Sequence, residues 1–287
     1  MAGASLLDRL GPGDHACLVY DDEPLWARSV TSFIRAGLLR HHRVLYCGQD
    51  ADRLPSVLAG HGVDVAAALR SGQLTMAGVE AAYLSDGVFD PEASLAAWEE
   101  EVETARAAGY HGMRGIGDMS WARHGVAMDQ LSWYEAQVNR ICVDGYTTGV
   151  CLYDRRLFGE PELRRVTRTH PATITRHTDP ARIPLLRGVR TGELGLRLSG
   201  EVDLSNRQAL RAMVEHLVAG APSRVPVTLD VSDLRFADSA AARILLEPAA
   251  TGAHRLRFFG ASAVVRRLLR FHWAGDPVDL VFERSAG

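Results

Sequence analysis

Three groups of residues have types and spacings that could do chemistry. The first is Asp238-Ser239, set before the apolar positions Ala240, Ala241, Ala242, Ile244, Leu245 and Leu246. A serine at a helix start sits where backbone N–H groups and the helix dipole favour an anion, so a phosphate is tolerated there. The same dipeptide also reads as a plain cap, worth ~1 kcal/mol. The second group is His15, Cys17 and Cys151, with His170 further along. Imidazoles and thiols are metal and redox groups, but no pair has zinc spacing, and small buried strand residues account for the cysteines. No metal site is therefore expected. The third group is Asp21-Asp22-Glu23-Pro24, between an apolar run and an amphipathic stretch. A phosphate-cradling loop there would be glycine-rich and carry Gly-Lys-Ser/Thr. Three carboxylates repel phosphate instead. Asp118, Tyr20, Trp121 and Tyr134 are candidate ligand contacts if they lie at the carboxyl ends of parallel strands. They also read as ordinary core.

The elements that must position these groups alternate. Ala16–Tyr20, Arg43–Cys47, Gln73–Met76, Gly112–Gly117 and Thr148–Tyr153 read as strands. Between them, Leu25–Arg40, Ala51–His61, a stretch opened by Asp90-Pro91, and Met128–Asp144 read as helices. Such alternation implies βαβ crossovers and a mostly parallel sheet. Pro171, Pro180 and Pro184 mark a linker at 171–187. The second half repeats the pattern on a smaller scale. Strands are expected at Leu194–Leu198, Val225–Val231, Arg255–Phe259 and Val278–Phe282, with a turn through Asp233 leading into Leu234–Ala237. Helices are expected at Asn206–Val218, capped by Ser205, at Asp238–Ala250, and at Ser262–Arg270.

Composition narrows the function classes. The chain has 287 residues and a net charge of −3, and all 32 of its basic residues are arginine. Without lysine there is no P-loop lysine, Schiff base or PLP anchor. Near-neutral charge lacks the footprint of a general nucleic-acid binder. No apolar run approaches a membrane span, and the start lacks a secretory pattern. Four cysteines without a framework suggest reduced thiols and a cytoplasmic protein.

The segment from Gly200-Glu201-Val202-Asp203 through Leu229-Asp230-Val231-Ser232 and Phe236-Ala237-Asp238-Ser239 closely resembles the STAS domain of anti-sigma factor antagonists. Phe259-Gly260-Ala261-Ser262 continues the resemblance. It implies that Ser239 is phosphorylated by a partner serine kinase that is itself the anti-sigma factor. It also implies that Glu201, Asp203, Asp238, Ser239 and Ala241 meet that partner. The family's glycine is Ala241 here, and Ala240 replaces a frequent serine.

The first half resembles the MEDS family of sensory domains. The matching residues include His15-Ala16-Cys17-Leu18-Val19-Tyr20, Gly87-Val88-Phe89-Asp90-Pro91 and Arg114-Gly115-Ile116-Gly117-Asp118-Met119-Ser120-Trp121. Tyr134-Glu135-Ala136-Gln137-Val138-Asn139, Cys151-Leu152-Tyr153-Asp154 and Thr169-His170-Pro171 continue it. The layout also looks like a RecA-type core that has lost its nucleotide loop.

The expectation is thus an α/β protein in two parts. Residues 1–178 form a RecA-like βαβ sensory domain with a degenerate P-loop, and 188–287 a smaller α/β STAS domain. It is a signalling protein and not an enzyme, with no cofactor. Its partners are an anti-sigma factor serine kinase and a small-molecule ligand, contacted through His15, Cys17, Tyr20, Asp118, Trp121, Tyr134, Cys151 and His170. A homodimer is left open; nucleic acid and membrane are not expected. The rival readings are an unphosphorylated STAS scaffold and a degenerate RecA-like NTPase.

Overall fold

The computed structural model describes residues 7–84, 87–123, 125–179, 186–222, 225–276 and 279–283. Two sheets organise the chain. The first holds β1 (His15–Tyr20), β2 (Arg43–Cys47), β3 (Leu74–Ala77), β4 (Met113–Asp118), β5 (Thr147–Asp154) and β6 (Ala172–Ile174). The order is β3-β2-β4-β5-β1-β6, and every pairing is parallel. β4 and β5 are buried at every residue, as strands covered on both faces must be.

The period-2 alternation of the strands separates two cores. On one face, Ala16, Leu18 and Tyr20 pack under α1 (Glu23–Leu39), α2 (Leu54–Gly60) and α3 (Val65–Arg70). On the other, Cys17, Cys151 and Tyr153 pack under α4 (Val79–Ala82), α5 (Pro91–Ala107), α6 (Met128–Cys142) and α7 (Glu160–Thr167). Asp90 caps α5 by accepting from Glu92 N and Ala93 N, both at 3.0 Å. The glycines of β4 admit large rings. A Cβ at Gly115 would lie 2.7 Å from Trp98, and one at Gly117 2.7 Å from the Tyr83 hydroxyl.

The second sheet has the order β11-β10-β9-β8-β7. Its strands are β7 (Arg187–Arg190), β8 (Gly195–Val202), β9 (Pro226–Ala237), β10 (Arg255–Phe259) and β11 (Leu280–Glu283). β7 runs antiparallel to β8 and the other pairs are parallel. α8 (Arg207–Ala219), α9 (Ser239–Ala250) and α10 (Ala263–His272) complete this half.

Several expectations are corrected. No turn interrupts the chain at Asp233: the strand read at 225–231 and the stretch 234–237 are one strand, β9, kept continuous by register shifts against β8. A bulge lets a strand turn its facing without ending. Ser205 does not cap α8; the cap position is Asn206, and Ser205 instead bonds the Asp203 carboxylate. The linker does not begin at Pro171, because Ala172–Ile174 joins β1 as an edge strand. Pro180 and Pro184 lie outside the described residues. α3, α4, α7, β6 and β7 had no strong sequence signal, being short and polar or glycine-flanked.

The two sheets are joined by specific contacts. α6 packs against α8, and Val143 just after α6 belongs to the apolar core of the second sheet. Arg140 Nε donates to His216 Nδ1 at 3.3 Å. Buried Asp14 is paired with Arg187, and Arg190 N donates to Val143 O at 2.6 Å. Among the described residues, no helix is long and apolar enough to cross a membrane.

Candidate functional site

β1 and β5 are adjacent, so residues two apart on each strand point at α6 together. Register pairs Cys17 with Cys151 and His15 with Gly149. His15 reaches over Gly149, whose missing side chain leaves that space; a Cβ there would lie 3.0 Å from the imidazole. Glu135 and Asn139, one turn apart on α6, face the same point. The turn between α7 and β6 brings in His170.

The outcome is a buried polar cluster. His15, Glu135, Asn139 and His170 have no exposed surface. Cys151 Sγ donates to Glu135 Oε2 at 3.0 Å and lies 3.4 Å from His15 Nε2. The Tyr153 hydroxyl donates to Glu135 Oε1. His170 Nε2 lies 3.3 Å from Glu135 Oε2 but lacks the angle for a hydrogen bond. The His15 and His170 rings sit 4.4 Å apart.

Electrostatics follow the burial. Desolvation, and then His170, lower the pKa of His15 to about 3. Burial alone would raise Glu135, but His170, His15 and Tyr153 outweigh it and hold the carboxyl below its usual range. Burial, and next Glu135, push the Cys151 thiol up, and the same two causes raise Cys17. Cys17 makes no direct bond to the cluster.

Beside His15 and Cys151 lies a cavity of about 30 Å³, room for one water-sized molecule. Tyr83 and Tyr134 wall it, with Trp98 donating to the Tyr134 hydroxyl at 2.9 Å. Beyond these rings, Tyr83 stacks on Trp121 at 4.7 Å and Phe89 meets Trp121 edge-on at 5.0 Å. Trp121 and Phe89 then line a cleft of about 640 Å³ at the carboxyl ends of β2, β3 and β4. An aromatic partition thus separates the cleft from the polar cluster.

The sequence-derived ligand set divides. Trp121 lines the cleft, and Tyr134 stands in the partition. Tyr20 does neither; it packs into the opposite core. Asp118 is buried beneath Gly48, accepting from Ser120 N at 3.0 Å and from the Tyr46 hydroxyl at 3.3 Å. Burial raises its pKa above the usual carboxylate range. His15, Cys151 and His170 converge, but under α6 rather than at the carboxyl edge of the sheet. His170 is core, with no exposed surface. Glu135 was not singled out, although its motif was. A carboxylate on the inward face of an otherwise apolar helix was the available signal.

The start of α1 is closed by carboxylates. Asp22 accepts from Leu25 N at 2.7 Å, and Arg176 bridges Asp21 at 3.1 Å and Asp22 at 2.6 Å. In the second sheet, β8 ends at Val202, just before Asp203, and β9 at Ala237, one residue before Asp238. Asp238 caps α9 by accepting from Ala241 N at 2.7 Å, and Arg207 holds its other oxygen at 2.8 Å. Ser239 is exposed at the first position of α9. Leu204 and Phe236 on the same edge are 51% and 50% exposed. Ala241 is fully buried, so it is not a partner contact; its methyl packs inward.

A family model described as "MEthanogen/methylotroph, DcmR Sensory domain" (MEDS) matches residues 14–171. The chain belongs to the MEDS family. A second model, described as "Mlab, STAS domain", matches residues 189–273. The order is therefore MEDS then STAS, and the polar cluster lies wholly within the MEDS domain. No curated protein matches the chain. Among solved structures, flagellar accessory protein FlaH from Methanocaldococcus jannaschii is 13% identical, with TM-score 0.39, covering 73% of this chain and 88% of that one. A KaiC-like protein from Pyrococcus horikoshii OT3 is 12% identical, with TM-score 0.42, covering 66% and 79%.

Proposed function

We propose that the protein is a cytoplasmic, sensor-coupled anti-sigma factor antagonist whose STAS domain binds an anti-sigma factor serine kinase and is switched by phosphorylation at Ser239. The observation that carries this reading is the placement of Ser239. It is an exposed hydroxyl at a helix N-terminus, on an edge that also presents Leu204, Phe236, Glu201 and Asp203. Phosphorylation adds about −1.5 to −2 charges there. That charge stands beside Asp238 and must be desolvated when a flat partner docks, so the complex weakens.

The MEDS domain supplies the input. Its large cleft is the place for a small-molecule ligand, since open α/β sheets bind at the carboxyl ends of strands. α6 links input to output, because it carries Glu135 toward the cluster and Arg140 toward His216 of the STAS domain. The first sheet is read as a RecA-type core without its nucleotide loop. Asp21, Asp22 and Glu23 at the start of α1 meet any phosphate with like charge, so ATP turnover is not expected.

The test is phosphate-affinity electrophoresis of the full chain with the purified serine kinase. A shifted band is expected for wild type and none for Ser239→Ala. Ser239→Glu is expected to weaken kinase binding about tenfold or more. Absence of any Ser239-dependent shift would overturn the switch and leave the unphosphorylated scaffold.

A further inference from the structure

Hydrogen bonds on the far side of each histidine place a proton on its Nδ1. Asn139 Nδ2 donates to Ala136 O and Thr169 O, both at 2.9 Å. Its Oδ1 is therefore the end that faces His15 Nδ1 at 3.1 Å, and His15 must carry its proton on Nδ1. His170 Nδ1 lies 2.8 Å from Val166 O, which can only accept, so His170 is protonated on Nδ1 as well. The Nε2 atom of His15 then faces Cys151, and that of His170 faces Glu135.

Four potential ligand atoms meet at one buried point: the Nε2 atoms of His15 and His170, Cys151 Sγ and Glu135 Oε2. With both imidazoles neutral and the thiol deprotonated, these atoms are a donor set for a transition-metal ion. The donor atoms of His15, Glu135, Cys151 and His170 all lie within 4.8 Å of one another. Tetrahedral zinc with N, O and S ligands needs separations of about 3.3–3.8 Å, a modest contraction. Each histidine already has the carbonyl partner on its far nitrogen that metal-binding imidazoles normally use.

We propose that His15, Glu135, Cys151 and His170 form a closed four-coordinate site for one divalent transition-metal ion, zinc in the first instance. The two nitrogens and the thiolate exclude calcium and magnesium as the preferred ions. Binding breaks the Cys151 S–H bond, forms a sulfur–metal bond and releases the proton to solvent. One thiolate and one carboxylate then balance the ion's two charges, so the buried centre is neutral. Four protein donors leave no open position, which is the arrangement of a holding site. The ion clamps α6 onto β1 and β5. The inference is independent of the role of Ser239. The proposal departs from the expectation of no metal, which rested on sequence spacing, because these donors come from four separate segments.

The test uses the full chain, reduced and stripped of metal by chelator. Protein grown with zinc is expected to retain about one ion per chain. Cobalt(II) is expected to give the visible bands of a tetrahedral ion and a thiolate charge-transfer band. Cys151→Ser should lose the charge-transfer band and bind cobalt about tenfold more weakly or worse. Cys142→Ser, buried outside the cluster, should keep both. If folded wild type gives no saturable cobalt spectrum, or if Cys151→Ser and His170→Gln leave that spectrum unchanged, the proposal is overturned. The wild-type titration decides the matter even where a variant fails to fold.

Discussion

The MEDS and STAS domains bury different things. Among the described residues, every buried polar or charged side chain except Asn206 lies in the MEDS domain. They include His15, Arg114, Asp118, Glu135, Asn139 and His170. The STAS core is instead a continuous apolar cluster built on β8, β9, β10 and α9. Even Asn206 serves the junction, since its amide donates to Glu201 O at 2.9 Å and to Pro171 O at 3.3 Å. A domain that presents a surface can fill its interior with hydrocarbon. One that holds reactive groups inside must satisfy each with a partner, because an unpaired buried polar group is costly. Local rules are expected to fail where function requires it.

The contrast can be broken most sharply at Glu135. Glu135→Ala removes the acceptor for Cys151 and Tyr153 and is expected to cost ~3–5 kcal/mol, read by urea unfolding. A loss below about 1 kcal/mol would mean that the polar core does not depend on its carboxylate. The matching change in the STAS core, Leu245→Ala, deletes only apolar contacts. It should cost ~2–5 kcal/mol through its cavity and leave metal uptake by the MEDS domain untouched.

A pH series sharpens the comparison at an intermediate scale. Burial, and then Arg114, lower the pKa of His42 to about 4. Above pH ~6.5 this imidazole is neutral in both states and adds no pH dependence. As pH falls from ~6.5 toward ~4, the unfolded chain binds a proton that the fold refuses, so stability falls. Replacing His42 by Gln should remove about 1–3 kcal/mol of that acid loss. Denaturation midpoints of both proteins at pH 7 and pH 5 measure it, and equal acid slopes would show that His42 is not the group responsible.

The smallest effects belong to the STAS edge. Asp238→Ala should cost ~1 kcal/mol as a lost helix cap. Ser239→Ala should change stability by less than ~0.5 kcal/mol, because the residue is exposed and first in its helix. Thermal melts check both. A large stability loss from Ser239→Ala would make the serine a structural residue and remove the separation between core and switch.

Much of the architecture was legible in the chain. The apolar run at β2 and the Asp90-Pro91 cap of α5 lie where their residue types place them. Period and caps are local properties, and locality is what a sequence displays. The elements that escaped, such as α3, α7 and β6, are short segments stabilised by what they pack on. Asp238 and Ser239 were legible for the same reason, as a cap and the residue after it. Ala241 was misjudged because the direction of one methyl depends on the helix rotation set by the core.

The polar cluster lies at the other extreme. The sequence by itself determined that His15, Cys151 and His170 exist within family-like motifs, and that the chain has no lysine. It determined the two-part α/β alternation and the capped serine. Only the tertiary structure decided that Glu135 joins these residues, that Tyr20 and Asp118 do not, and that His170 is core. The physical reason is that parallel strands adjacent in a sheet are distant in the chain. The β1–β5 pairing brings His15 to Cys151 across 136 residues. No local spacing encodes that distance; it is set by the strand order and by the face on which α6 lies.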